Sequence, residues 1–241
     1  MSFEFIVVLA GAFLAAFGVG LAGFADALIA SAIWLHVLPP VQAVPLILVT
    51  GIVIHFISLT YLRRRIPFEL LWPFLVGGVI GVPLGTWLLR HSEPEPFRAV
   101  IGWLLLSYCV FALARPKPAN STVRKKSADG AIGFVGGVLG GFAGLSGVVP
   151  TIWSGMRGWT KDVQRGVYQS FIFAMHTIAL IWLGASGVLD TRLLHRFLWC
   201  IPVLLLGTWL GLKLYHHIDE QQFRRVVLVL LLLSGAALVV Y

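Results

Sequence analysis

Gly20–Ala27 reads GLAGFADA, and Gly141–Val148 reads GFAGLSGV. The same glycine-broken apolar segment thus occurs twice, and the echo extends along the chain. Val41-Gln42 returns as Val163-Gln164, and Gly85-Thr86-Trp87 as Gly207-Thr208-Trp209. Phe97-Arg98 returns as Phe223-Arg224 with four extra residues inserted. Self-similarity at a nearly constant offset marks two copies of a single structural unit. The chain divides accordingly into a first repeat, 1–114, a basic linker, 115–129, and a second repeat, 130–241.

Composition places both units in a membrane. Of the 241 residues 59% are hydrophobic and 12% charged, with a mean hydropathy of +0.91. A soluble domain of this size cannot bury that much apolar side chain. A hydrocarbon core about 30 Å thick takes about 20 helical residues, and apolar runs of that order lie near 43–62, 70–89, 98–114, 164–185, 197–215 and 224–241. Residues 3–35 lack the basic start and cleavage-like end of a secretory signal and are expected to stay in the mature protein. Cys109 and Cys200 fall inside apolar runs without metal-ligand spacing and read as small core residues.

Two glycine-centred segments remain, 3–35 and 130–158. Each either crosses once or dips in and returns, and charge separates the two arrangements. If both cross, ten of the 18 basic residues lie on one side and eight on the other, which is almost no bias. If both return, one side collects Arg63–Arg65, Arg115, Lys117, Arg124–Lys126, Arg157, Lys161, Arg165, Lys213, Arg224 and Arg225, leaving only Arg90, Arg98, Arg192 and Arg196 opposite. Fourteen against four is the asymmetry that the positive-inside rule expects. The expected fold is therefore an all-α integral membrane protein of two inverted repeats. Each repeat is a Gly-broken re-entrant or hairpin segment plus three transmembrane helices, and both termini lie outside the cytoplasm. The formal net charge of +8 is then a cytoplasmic collar meeting anionic lipid, and it calls for no nucleic acid.

Backbone that leaves the helix at membrane depth must be buried by protein or solvated in a cavity, so duplicated breaks make binding sites. Inverted repeats with such breaks are a common transporter plan, with the site where the repeats meet. In the second copy Gly140, Gly141, Gly144 and Gly147 permit close backbone approach, Ser146 adds a hydroxyl, and Pro150 with Thr151 favours a helix start. The N-terminus of that half-helix offers free N–H donors and partial positive charge to an anion. In the first copy the matching turn holds Gly23, and Asp26 takes the place of Gly147. Small residues also serve tight helix packing, which is the alternative reading of these glycines.

The duplicated Gly-rich segment, the eight hydrophobic segments in two halves, and the elements at Gly81-Val82-Pro83 and Gly207-Thr208-Trp209 resemble the sulfite exporter TauE/SafE family, also called the toluene-sulfonate uptake permease family. The resemblance covers essentially the whole chain and departs from the family's glycine-rich first copy at Asp26. It implies a transporter of sulfite, a sulfonate or a sulfoacetate-like anion in the bacterial cytoplasmic membrane.

The intramembrane polar residues supply the rest of the expected site. Asp26 reads either as a proton-coupling carboxylate or as an N-cap of the following half-helix. His55 and His176 stand near the middles of two apolar runs at almost corresponding positions, as cavity lining or as hydrogen-bonded packing residues. Gly51, His55 and Ser58 share one helical face, and Gln169, Phe173, His176 and Thr177 line the other. Arg165 reads as a cytoplasmic rim residue rather than a substrate clamp. The glycine stripes Gly77/Gly81/Gly85 and Gly207/Gly211 predict close helix crossings. The expected substrate-binding set is Gly23, Asp26, His55, Gly144, Ser146, Gly147, Thr151, Gln169, His176 and Thr177.

No Ser-His-Asp arrangement, HExxH or paired intramembrane carboxylate appears, which argues against an enzyme. A passive anion channel and a carrier of another small anion such as a carboxylate are the alternatives. The partners this reading allows are the anion, the lipid bilayer, a coupling proton or sodium ion, and a second copy of the chain. No cofactor or metal is expected.

Overall fold

The computed structural model describes residues 3–61, 68–114, 126–214 and 220–240. Ten helices occupy them: α1 Phe3–Ala22, α2 Asp26–Trp34, α3 Pro40–Tyr61, α4 Phe68–His91, α5 Pro94–Ala114, α6 Lys126–Ala143, α7 Val148–Met156, α8 Lys161–Ala185, α9 Thr191–Leu214 and α10 Glu220–Val240. Much of the basic linker, with Arg63–Arg65 of the charge comparison, falls outside the described residues.

Among the described residues six helices are long and apolar enough to cross a membrane: α1, α3, α4, α5, α8 and α9. Five coincide with apolar runs in the sequence. The sixth is α1, which stays helical through Gly11, Gly18 and Gly20 even though an interior glycine costs about 1 kcal/mol against alanine. The run at 224–241 falls on α10, with Val227–Val240 its apolar part among the described side chains.

Glycine decides which helices touch backbone to backbone. α4 packs along α6 and α1 along α9, while α3 faces α8 and α5 faces α10. Along the first pair, a Cβ at Gly77, Gly81 or Gly85 would overlap the carbonyl of Gly130, Phe134 or Val138, and Gly133, Gly137 and Gly141 meet α4 in the same way. Along the second pair, Gly207 and Gly211 lie against the carbonyls of Phe13 and Phe17. Both glycine stripes expected from the sequence thus lie at close crossings, where small residues let dispersion contacts between backbones build up.

Two polar clusters mark the ends of the bundle. At one end Arg196 donates to Glu4 Oε1 at 2.6 Å and to Gln42 Oε1 at 2.8 Å, which gathers the first turns of α1, α3 and α9. At the other, Asp129 of α6 accepts from Trp153 Nε1 at 2.7 Å and pairs with Arg157 at 3.2 Å. The Arg157 guanidinium also lies over the Trp159 ring at 5.1 Å, so the start of α6, the end of α7 and the approach to α8 meet there.

Candidate functional site

α1 and α2 are separated by residues 23–25, and α6 and α7 by residues 144–147. Gly23 has φ +88° and Gly144 φ +74°, a left-handed conformation that costs other L-residues roughly 1–2 kcal/mol. The Gly23 N–H still reaches the Val19 carbonyl at 2.8 Å, and the Gly144 N–H reaches that of Gly140 at 2.8 Å, so each helix ends on a glycine-terminated turn. Gly147 is right-handed and is the N-cap of α7. That helix begins at Val148, before Pro150.

Beside the first turn, α8 satisfies the carbonyls that α1 leaves open. Arg165 Nη2 donates to Val19 O at 2.8 Å and to Gly20 O at 2.9 Å, and Tyr168 Oη donates to Ala22 O at 3.0 Å. Arg165 is buried, with 4% of its surface exposed. The guanidinium therefore lies between helices rather than in solvent, and it closes the C-terminal end of α1, where a cation also complements the helix dipole.

Asp26 opens α2. The N-cap of that helix is Ala25, with no side-chain capping bond, and the Asp26 carboxylate turns to the interior. Its Oδ2 lies 3.3 Å from His55 Nε2 of α3 and 4.0 Å from His176 Nδ1 of α8. The two imidazole rings stand edge to face with centroids 6.1 Å apart. His176 Nε2 is 2.8 Å from the Gly144 carbonyl, so one ring touches residues from both glycine turns. Gly51 makes the room: a Cβ there would lie 2.8 Å from Asp26 Oδ2 and overlap His176 Nδ1. The same number of positions separates Gly23 from Gly144 and His55 from His176.

The other expected residues fall around this cluster. Gln169 Nε2 donates to Ser58 Oγ at 3.0 Å, along the same α3–α8 seam. Ser146 is fully buried, and its hydroxyl and that of Thr151 have no hydrogen-bond partner. Thr177 is not drawn in, because its hydroxyl bonds back to the Phe173 carbonyl at 2.8 Å on its own helix.

Two cavities approach from opposite ends. One, of about 180 Å³, is lined by Phe24, Ala25, Tyr108, Thr151, Gln164 and Tyr168 among others. The second, of about 220 Å³, is lined by Gln42, Pro45, Val188, Asp190, Arg192 and Arg196 among others. On α8, His176 lies between the residues of the first cavity, Gln164 and Tyr168, and those of the second, which begin at Val188 just past the helix end. Among the described residues no group of three His, Cys, Asp or Glu side chains is placed to hold a metal ion.

An all-helical, multi-pass membrane protein with a buried polar cluster at the junction of its helical turns belongs to the transporter class of architecture. The family model for the sulfite exporter TauE/SafE matches residues 8–238, nearly the whole chain, and the chain belongs to that family. Its members are membrane transporters of sulfite and related sulfur anions, not enzymes. No curated protein and no solved structure matches the chain.

Proposed function

We propose that the protein is a secondary transporter that carries a small organosulfur anion, such as sulfite, a sulfonate or a sulfoacetate-like compound, across the bacterial cytoplasmic membrane. The substrate seat is the region where the α1–α2 and α6–α7 turns approach each other. One observation carries this reading. The short helix α7 starts inside the bundle on Gly147, which has no side chain to cap it, and beside that start the buried hydroxyls of Ser146 and Thr151 have no partner. Idle hydroxyls beside a helix start are neutral donors that a sulfonate or sulfite oxygen accepts from. Thr151 also lines the first cavity, which gives the anion a route to that helix start.

In this reading the halves 1–114 and 130–241 are inverted repeats, joined by the cytoplasmic linker 115–129. The packing supports it: exchanging the first five helices for the second five turns the α4–α6 pair into α9–α1 and leaves α3–α8 and α5–α10 unchanged. The gathering of the first turns of α1 and α3 at Arg196 supports a first segment that returns to its side of entry. The fourteen-to-four distribution of basic residues supports a cytoplasmic side that holds Arg157 and Lys161, with both termini outside. The cavities at opposite ends fit alternating access to one central seat.

The test is uptake of labelled sulfite, methanesulfonate and sulfoacetate into proteoliposomes, with acetate as a control. Saturable uptake of a sulfur anion, weakened about tenfold in KM by Thr151→Val as expected for one lost hydrogen bond of about 1.4 kcal/mol, supports the seat. Unsaturable flux would identify a channel, and preference for acetate would identify a carboxylate carrier.

A further inference from the structure

We infer that Asp26, His55 and His176 form one buried proton-binding site, and that its proton ties the α1–α2 turn to the α6–α7 turn. The proton site stands on geometry alone, while its coupling to anion movement rests on the proposed transport.

The hydrogen-bond chemistry of His176 requires it. The Gly144 carbonyl only accepts, so His176 Nε2, 2.8 Å away, carries a hydrogen. In a neutral ring Nδ1 then presents a lone pair, and it faces Asp26 Oδ2 at 4.0 Å. A lone pair set against a carboxylate oxygen is repulsive, and in a dry interior the repulsion is poorly screened. A proton on Nδ1 or on the carboxyl group removes it. His55 Nε2, 3.3 Å from the same oxygen, is a second place to hold a proton. Two imidazoles thus converge on one carboxylate oxygen, with both rings fully buried and Asp26 3% exposed.

Many neighbouring charges are engaged elsewhere, while Arg98 of α5, whose Nε is buried without a hydrogen-bond partner, acts on His36 between α2 and α3. From α8, Arg165 and Tyr168 turn to the α1 carbonyls. On α1 and α9, Glu4 and Arg196 pair with each other, while Asp129 of α6 pairs with Arg157. Cys109 of α5 points its thiol to the Leu228 carbonyl at 3.5 Å, and Tyr108 lines the first cavity. Lys161 and Asp162 of α8, Glu69, Arg90 and His91 of α4, and Lys213 of α9 lie in first or last helical turns. Asp190 and Arg192 pair at the α8–α9 turn.

The charge count gives the consequence. With Asp26 ionised and both imidazoles neutral the site is −1, and it repels an incoming anion. One proton makes it neutral, and a second makes it +1. An anion therefore binds better to the protonated site, and by reciprocity the bound anion tightens proton binding. Because His176 touches both Asp26 and Gly144, losing the proton loosens the contact between the two turns.

The test uses the full-length protein in lipid nanodiscs, with 15N-labelled histidine followed by NMR across roughly pH 5–9, and the signals assigned with His55→Gln and His176→Gln. The account predicts a hydrogen on His176 Nε2. It also predicts His55 and His176 signals that titrate together, with Asp26→Asn moving both midpoints by about one pH unit or more. His55 and His176 signals indifferent to Asp26→Asn would overturn it, and Asp26→Glu serves as the second variant if Asp26→Asn does not fold. A transport arm follows methanesulfonate, whose charge is constant over this range. Wild-type uptake is expected to change by up to about tenfold per pH unit, as for one essential proton, and Asp26→Asn to flatten this within about twofold while labelled exchange persists. Wild-type pH dependence retained in Asp26→Asn would refute the coupling and leave the transport reading intact. Histidine signals that behave as predicted in a protein that moves no sulfur anion would refute the transport reading instead.

Discussion

His55 Nε2 stands 3.3 Å from Asp26 Oδ2, joining the middle of α3 to the first residue of α2. The contact adds a second role to the capping one that the sequence leaves open to Asp26. Its carboxylate keeps a backbone hydrogen bond with Ala27 in the first turn of its own helix and also reaches two imidazoles across the bundle. Asp26→Ala should therefore cost more than the loss of an exposed cap, about 2–3 kcal/mol, because it leaves two buried imidazoles facing an empty oxygen position. Thermal unfolding of the purified protein checks this, and a cost below about 0.5 kcal/mol would refute it.

The Gly144 turn should tolerate no side chain. Gly144→Leu adds a left-handed penalty of roughly 1–2 kcal/mol, and its Cβ would lie 2.6 Å from Ile47 Cγ2. Gly147→Leu would press on Ile172 without the backbone penalty. Both variants are expected to reach the membrane folded, by circular dichroism, and to lose uptake of the sulfur anion. Normal uptake kinetics in both would remove the substrate seat from this turn.

Two glycines with different surroundings separate packing from backbone strain. Gly81→Val forces a side chain into the Phe134 carbonyl across the α4–α6 seam, and overpacking of this kind costs about 1–3 kcal/mol or more. Gly187, with φ +71° and nothing within 4 Å, should lose only the strain of roughly 1–2 kcal/mol on substitution by Ala. Yield and melting temperature of the two variants should rank in that order, and the reverse ranking would contradict the backbone-to-backbone packing of α4 on α6.

Arg165 should matter more to stability than a rim residue would. Arg165→Gln removes a charged donor from two helix-end carbonyls, an expected loss of about 1.5–3 kcal/mol, and Arg165→Lys should recover part of it. If Arg165 held the substrate instead, both changes would raise KM at unchanged melting temperature, and kinetics with calorimetry on the same preparations decides between them.

Opposite faces should label oppositely. Cys109 and Cys200 are fully buried, so a new thiol at Ser127 or Leu189 reports alone. Leu189→Cys is expected to react with an impermeant maleimide added outside intact cells, and Ser127→Cys only after permeabilisation. Reaction of both from outside would overturn the returning arrangement of the glycine segments.

The sequence was readable where a feature repeats or stands out chemically. The two glycine turns were visible because the same pattern occurs twice, and the Asp26–His55–His176 cluster because ionisable groups are scarce in apolar runs. Gln169 and Ser58 were visible as facing residues on helical stripes. The role of Arg165 was not visible because its partners, the carbonyls of Val19 and Gly20, have no side-chain signature and lie far off in the chain. Thr177 was included by spacing alone, which cannot show that a hydroxyl bonds its own helix. The span in α1 stayed open because glycine-rich segments read as breaks until a neighbouring helix, here α9, is seen packed against them.

The most direct test of the central claim is counterflow in proteoliposomes. Vesicles loaded with unlabelled sulfite or sulfonate are diluted into a trace of the labelled anion. A carrier with one central seat predicts transient accumulation of label above equilibrium, lost in Gly144→Leu. Label that only equilibrates, at a rate proportional to concentration, would contradict the carrier.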